Sequence, residues 1–107
     1  MATITLHSMH CVKKQDSISD DDIKVILDGE NVLGTIGIEK GQTVLLGDLT
    51  RPFTGSITVQ LLEVDANSND DDLGTEFVSD GEAGTGRHSL EFDRLNNAFY
   101  TLSYSVA

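Results

Sequence analysis

The chain has 107 residues with eighteen acidic and seven basic side chains, a formal net charge of −11 at pH 7. This charge excludes nucleic-acid binding, which needs clustered Lys and Arg to neutralise phosphates. No run approaches the ~18 apolar residues of a membrane span, and no basic segment followed by an apolar one marks a signal peptide. Cys11 is the only cysteine, so no intrachain disulfide forms. That composition fits a cytoplasmic protein or one exported without disulfides.

Apolar and polar residues alternate over most of the chain, the pattern of half-buried β-strands. In chain order, the predicted strands begin at Ile4, Ile23, Gly34, Thr43, Ile57, Glu76, Ser89 and Ala98. Asp28-Gly29 predicts a hairpin turn because Gly readily adopts positive φ. Pro52 and Gly55 are expected to break the strand pattern over residues 51–55. Seven or eight short strands without a helical window predict an all-β fold, an antiparallel β-sandwich, as one domain over residues 1–107.

Two aspartate-rich segments adjoin predicted strands. Eight of the twelve aspartates fall within residues 16–22 and 65–72. Neighbouring like charges repel by about 1 kcal/mol in water at ~4 Å, and a bound cation removes that cost. Ca²⁺ takes roughly 6–8 oxygen ligands from carboxylates, amides, carbonyls and water. The segments therefore predict calcium sites, and the alternative is that they are solvated surface loops.

The second segment is not an EF-hand. Its spacing does place oxygen-bearing side chains at loop positions 1, 3, 5 and 12 of that motif, namely Asp65, Asn67, Asn69 and Glu76. Position 6 needs Gly for a sharp turn, and Asp70 stands there. A strand-like sequence also precedes the loop where the motif requires a helix.

The segment from Ile57 to Gly74, ITVQLLEVDANSNDDDLG, resembles the second calcium loop of C2 domains. An alternating strand ends in Asp-x-Asn, and polar residues are then followed by Asp-Asp, an apolar residue and Gly. The N-terminal part is similar, because a strand leads to a polar loop with Asp16, and Asp22 precedes the next strand. The resemblance covers residues 3–80 in order of elements and is specific over residues 57–74.

This resemblance implies a C2-like sandwich that binds calcium through loops at one end. In the first segment it implicates Asp16 and one of Asp20, Asp21 or Asp22. In the second segment it implicates Asp65, Asn67 and Asp71. We take as predicted metal ligands Asp16, Asp21, Asp22, Asp65, Asn67 and Asp71. The implied function is calcium-dependent contact with a membrane phospholipid, a protein or a glycan. The alternative is a structural or assembly subunit that self-associates through sheet edges, with acidic loops that have no function.

Other groups do not predict a site. Alternation places His7 and His10 on opposite faces of a strand, so they share no zinc site with Cys11. No G-x-S-x-G motif indicates a serine nucleophile, and solvent-facing loop carboxylates do not separate into an acid and a base. We therefore expect no enzyme activity. Asp80 and Glu82 are candidates for a third acidic loop near the same end.

Overall fold

A computed structural model describes residues 1–13, 21–64, 69–95 and 98–107. These residues form eight strands and one short 3₁₀ turn: β1 (Ala2–Lys13), β2 (Asp21–Leu27), β3 (Glu30–Ile38), β4 (Thr43–Phe53), β5 (Ser56–Glu63), β6 (Asp71–Ser79), the 3₁₀ turn (Asp80–Glu82), β7 (Arg87–Phe92) and β8 (Phe99–Val106). The prediction of an all-β antiparallel sandwich is confirmed. Within the described ranges, no helix is long and apolar enough to cross a membrane.

The strands form two four-stranded sheets, with the orders β4-β1-β8-β7 and β3-β2-β5-β6. All paired neighbours are antiparallel. Because successive strands run in opposite directions, the connections that follow β1, β3, β5 and β7 leave the sandwich at one end. We call this the loop end. The remaining connections and both chain termini lie at the opposite end.

The core lies between the two sheets and consists mainly of Ile, Leu and Val. Strands β5 and β8 bury every second side chain, as the period-2 alternation of a strand requires. In β8 the buried members are Tyr100, Leu102, Tyr104 and Val106, which share the inner face. Burial of each aliphatic core side chain, such as Leu102 or Val106, contributes roughly 1.5–3 kcal/mol to the free energy of unfolding before the entropy of ordering is subtracted.

Six of the eight strands begin earlier than predicted, and two of these begin at aspartates. β2 begins at Asp21 and β6 at Asp71, because these residues pair with Ile38 and Glu63 respectively. Ladder pairing therefore overrides the low intrinsic preference of Asp for strands. The predicted break at residues 51–55 also starts later, since β4 continues through Pro52 to Phe53. β4 is an edge strand, where Pro is tolerated.

A β-bulge in β1 changes which way the residues after it face. Against β8 the pairing shifts between Leu6 and Ser8 and leaves His7 as an inserted residue, whereas against β4 the extra residues are 46–48 of β4. Leu6 and Met9 are both buried, whereas His7 and His10 are half-buried on the outer face. The prediction that the two histidines lie on opposite faces is therefore wrong, because an inserted residue reverses the alternation.

Candidate functional site at the loop end

The loop end brings the described parts of the two aspartate-rich segments, residues 21–22 and 70–72, to either side of one strand. β5 lies between β2 and β6, and its last residue, Glu63, pairs with both Ile23 and Asp71. The backbone N–H of Val64 donates to the carbonyl oxygen of Asp22 at 2.7 Å. Adjacent strands lie about 4.8 Å apart, so the starts of β2 and β6 are roughly 10 Å apart. Acidic residues that are far apart in sequence thus lie near one another at the loop end.

Asp21 is fully buried and joins the two sheets. Its Oδ2 accepts a hydrogen bond from the hydroxyl group of Tyr100, at the start of β8 in the opposite sheet. Burial, followed by the hydrogen bonds to Asp21 and Cys11, raises the pKa of Tyr100 well above its ordinary value. The phenol therefore remains a protonated donor at physiological pH. This donor helps to stabilise a carboxylate that burial would otherwise penalise.

Two cationic side chains hold the start of β6. Lys24 Nζ lies 3.0 Å from Asp70 Oδ2, an ion pair that links β2 to the second acidic segment. Arg94 Nη1 donates to the carbonyl oxygen of Asp72 at 3.0 Å and so ties the connection after β7 to β6. These contacts set the direction in which the chain enters β6.

Gly74 shapes the same segment through its backbone conformation. Leu61 pairs with Gly74 and Leu62 with Asp72, so Leu73 is an inserted, buried residue at a bulge. Gly74 has φ +133°, which side chains of L-residues rarely adopt. Its N–H donates to Asp72 Oδ1 at 2.9 Å. The bulge thus fixes the orientation of Asp72.

Gly74→Ala should lower the free energy of unfolding by roughly 1–3 kcal/mol, the cost of a strained backbone. The added Cβ would lie 3.6 Å from atoms of Arg94 and Phe92, an ordinary contact, so the cost comes from φ rather than from a clash. Urea denaturation measures it. Gly37→Ala is the matched control, because Gly37 lies exposed in the edge strand β3 and is not among the positive-φ glycines. Equal effects of the two substitutions would show that the φ of Gly74 carries no special cost.

The structure places three of the six predicted metal ligands. Asp21 is buried, Asp22 is exposed and Asp71 is half-buried. Asp16, Asp65 and Asn67 lie outside the described residues. Within the described part of the chain, no three His, Cys, Asp or Glu side chains form a group that could hold a metal ion. A calcium site at this end would therefore need oxygen donors from residues 14–20 and 65–68 as well.

The expectation of a third acidic loop at this end is wrong. Asp80 and Glu82 form the 3₁₀ turn between β6 and β7, which lies at the opposite end. Asp80 Oδ2 accepts from the N–H of Gly55 at 2.9 Å, and Glu82 accepts from the hydroxyl group of Tyr104. Ser79 and Glu82 cap this turn reciprocally. These carboxylates therefore stabilise local structure.

Sequence reasoning missed Tyr100 as a member of the loop end. The alternation of β8 correctly predicts that Tyr100 is buried, and a buried tyrosine hydroxyl normally has a hydrogen-bond partner. That rule is the available signal that an acceptor lies opposite. It does not identify Asp21, which is 79 residues away in sequence.

The sequence matches no model of a known protein family and no curated protein. Solved structures do match the fold. One, described as the structure of a C2 domain, is 14% identical with a TM-score of 0.62, and the match covers 100% of this chain and 99% of that one. The C2A domain of plant Extended Synaptotagmin 1 is 9% identical with a TM-score of 0.58, over 98% of this chain and 92% of that one. These matches confirm the C2-like fold predicted from the sequence.

Proposed function

We propose that this chain, a β-sandwich with the fold of C2 domains, is a calcium-binding module that contacts its partner through the bound ion. The observation that carries the proposal is the position of the acidic segments. Both lead into strands at the loop end, on either side of β5. Neighbouring carboxylates at the loop end repel each other. A bound divalent cation removes this repulsion, which favours binding of the cation.

The proposed ligands are oxygen donors throughout, as a hard cation such as Ca²⁺ requires. Asp22 and Asp71 stand on either side of β5, and the adjoining segments supply Asp16, Asp65 and Asn67. Asp21 is the buried member of the set, and Tyr100 holds its carboxylate in place. Such a mixture of charged and neutral oxygens matches calcium better than zinc, which prefers Cys and His.

Calcium would also change what this end of the molecule attracts. With a net charge of −11, the chain repels anionic lipid headgroups unless a cation lies between them. A bound Ca²⁺ with coordination positions left open accepts oxygens from a second molecule. The partner is therefore a phospholipid surface, a protein or a glycan that offers anionic oxygens. Vesicles with and without phosphatidylserine, with protein and glycan ligands in parallel, distinguish these partners.

Calcium should bind chelator-stripped protein with measurable heat and raise its unfolding temperature. An ion present at 100 times its Kd stabilises the folded state by about 2.7 kcal/mol. For a domain near 100 residues this corresponds to a rise of roughly 10 °C. Titration calorimetry gives the stoichiometry, and thermal unfolding at millimolar calcium gives the shift.

The double variant Asp65→Asn with Asp71→Asn should lose both signals. Glu76→Gln is the matched control, because Glu76 is exposed in β6 but away from the loop end, and it should keep them. Absence of heat and an unchanged unfolding temperature in the parent protein would disprove calcium binding.

Exposed apolar residues on edge strands favour a second candidate, self-association. Phe77 in β6 is 69% exposed and Leu45 in β4 is 81% exposed. Both strands lie at sheet edges, where unpaired backbone groups can add another strand. Sedimentation velocity separates the two functions. A concentration-dependent dimer that ignores calcium supports assembly, whereas a monomer stabilised by calcium supports the binding module.

A further inference from the structure

Three side chains from neighbouring strands form a hydrogen-bonded row on the outer face of the β4-β1-β8-β7 sheet. His7 Nδ1 lies 2.8 Å from Asp48 Oδ1, and His7 Nε2 lies 2.8 Å from Ser105 Oγ. The carboxylate contacts one imidazole nitrogen and the hydroxyl contacts the other. The order of contacts is that of Ser-His-Asp sites, which are recognised by geometry and not by sequence order, although the side chain of Asp48 is 75% exposed here.

Strand alternation and a local backbone irregularity create this row. His7 faces outward by the ordinary alternation of β1, because Ile4 and Leu6 are buried, and it lies toward Ser105 of β8. In β4, the pairing jumps from Leu45 to Leu49, and the residues between them include Gly47 at φ 71° and Asp48 at φ 51°. Asp is among the few residues that tolerate this left-handed conformation. Bulges commonly redirect side chains next to active sites.

A groove lies beside the row, against His7 and Asp48. It has a volume of about 240 Å³ and is lined by His7, Ser8, Leu45, Gly47, Asp48 and Arg87. Arg87 pairs directly with Ser105 in the ladder, on the side away from β1. The volume falls below the roughly 300–1,000 Å³ of typical ligand pockets, which restricts an occupant to a short acyl group. His7 is 14% exposed, so its imidazole is largely held in position.

We propose that Ser105 is a nucleophile that hydrolyses small carboxylic esters, with His7 as general base and Asp48 as the residue that orients His7. This activity goes beyond the proposed calcium function and revises the expectation that the chain is not an enzyme. Ser105 lies near the end of β8 that is remote from the loop end. The reaction therefore proceeds without calcium.

The chemistry balances with the ester and water alone. Ser105 Oγ attacks the ester carbonyl carbon, and its proton passes to His7 Nε2. The positive charge of Arg87, the ladder partner of Ser105, favours the resulting oxyanion. The bond between carbon and the leaving oxygen then breaks, and His7 returns the proton to the departing alkoxide. Water attacks the acyl-serine with His7 again as base, and Ser105 regains its proton as the carboxylic acid leaves.

The test uses a fluorophosphonate probe on the full chain in the presence of a calcium chelator, followed by peptide mass spectrometry. We expect a phosphonyl adduct on Ser105 and slow hydrolysis of p-nitrophenyl acetate. His7→Gln should slow both reactions by roughly 100-fold or more, the usual contribution of a general base. Asp48→Asn keeps a residue that tolerates positive φ and should slow them at least about tenfold.

Two matched controls lie on the same face. Ser103→Ala removes another outward-facing hydroxyl of β8, and His10→Gln removes the imidazole that contacts Thr43. Both should react like the parent protein. Absence of an adduct on Ser105, equal labelling of Ser103, or labelling that ignores His7→Gln overturns the proposal. Should His7→Gln fail to fold, urea-unfolded parent protein replaces it, and equal labelling of native and unfolded chains is then the contradicting result.

Discussion

Tyr100→Phe should lower the free energy of unfolding by about 2–3 kcal/mol. The substitution keeps the ring in the core but removes the hydroxyl group that donates to the buried carboxylate of Asp21. Hydrogen bonds to charged groups contribute roughly 1.5–3 kcal/mol, and the deprived acceptor remains away from water. Urea denaturation followed by circular dichroism measures the loss.

Tyr104→Phe is the matched control for this prediction. Tyr104 lies on the same buried face of β8, but its hydroxyl donates to Glu82, whose side chain is 28% exposed. Water can replace the lost donor there, so the expected loss is about 1 kcal/mol or less. Equal losses from the two variants would show that the burial of Asp21 adds no cost.

Stability should fall steeply as the pH rises above 10. Burial, with hydrogen bonds to Asp21 and Cys11 for Tyr100 and to Glu82 for Tyr104, raises the pKa of both phenols. An unfolded tyrosine loses its proton near pH 10. Above that pH the unfolded chain releases protons that the folded chain retains, so unfolding becomes more favourable. The contribution of the two protonated phenols to the free energy of unfolding is fully present below pH 10. Above pH 10, each phenol lowers the free energy of unfolding by about 1.4 kcal/mol per pH unit.

Urea midpoints measured from pH 8 to 11.5 reveal this slope. Tyr100→Phe should remove about half of it, because one of the two retained protons is lost. Ultraviolet titration of the native protein gives an independent reading, since the two buried phenols should stay neutral while the fold persists. Normal ionisation of both tyrosines near pH 10 in folded protein would contradict the prediction.

Strand identity could be predicted well from local patterns. The alternation in β5 and β8 predicts both the strands and their buried faces, since successive side chains of a strand point to opposite sides. Asp28-Gly29 predicts its hairpin turn, and both residues do have positive φ. The motif over residues 57–74 also points to the C2-like fold. It does so even though the whole chain is only 14% and 9% identical to the two C2 structures that it matches.

The candidate sites could be predicted only in part. Two acidic segments are visible in the sequence, but the direction of each strand decides at which end of the sandwich an acidic residue lies. Residues 21–22 and 70–72 lie at the loop end, whereas Asp80 and Glu82 lie at the opposite end. Alternation also fails after His7, because the inserted residue puts His10 on the same face as His7.

The order of residues is enough to predict a β-sandwich with two acidic segments, because residue periodicity and charge are local properties. Which side chains contact each other depends on how the two sheets pack. Asp21 and Tyr100 lie in different sheets, while Asp48, His7 and Ser105 lie on three adjacent strands. The physical reason is that alternation encodes which face a residue occupies, whereas sheet order and register depend on packing between distant segments.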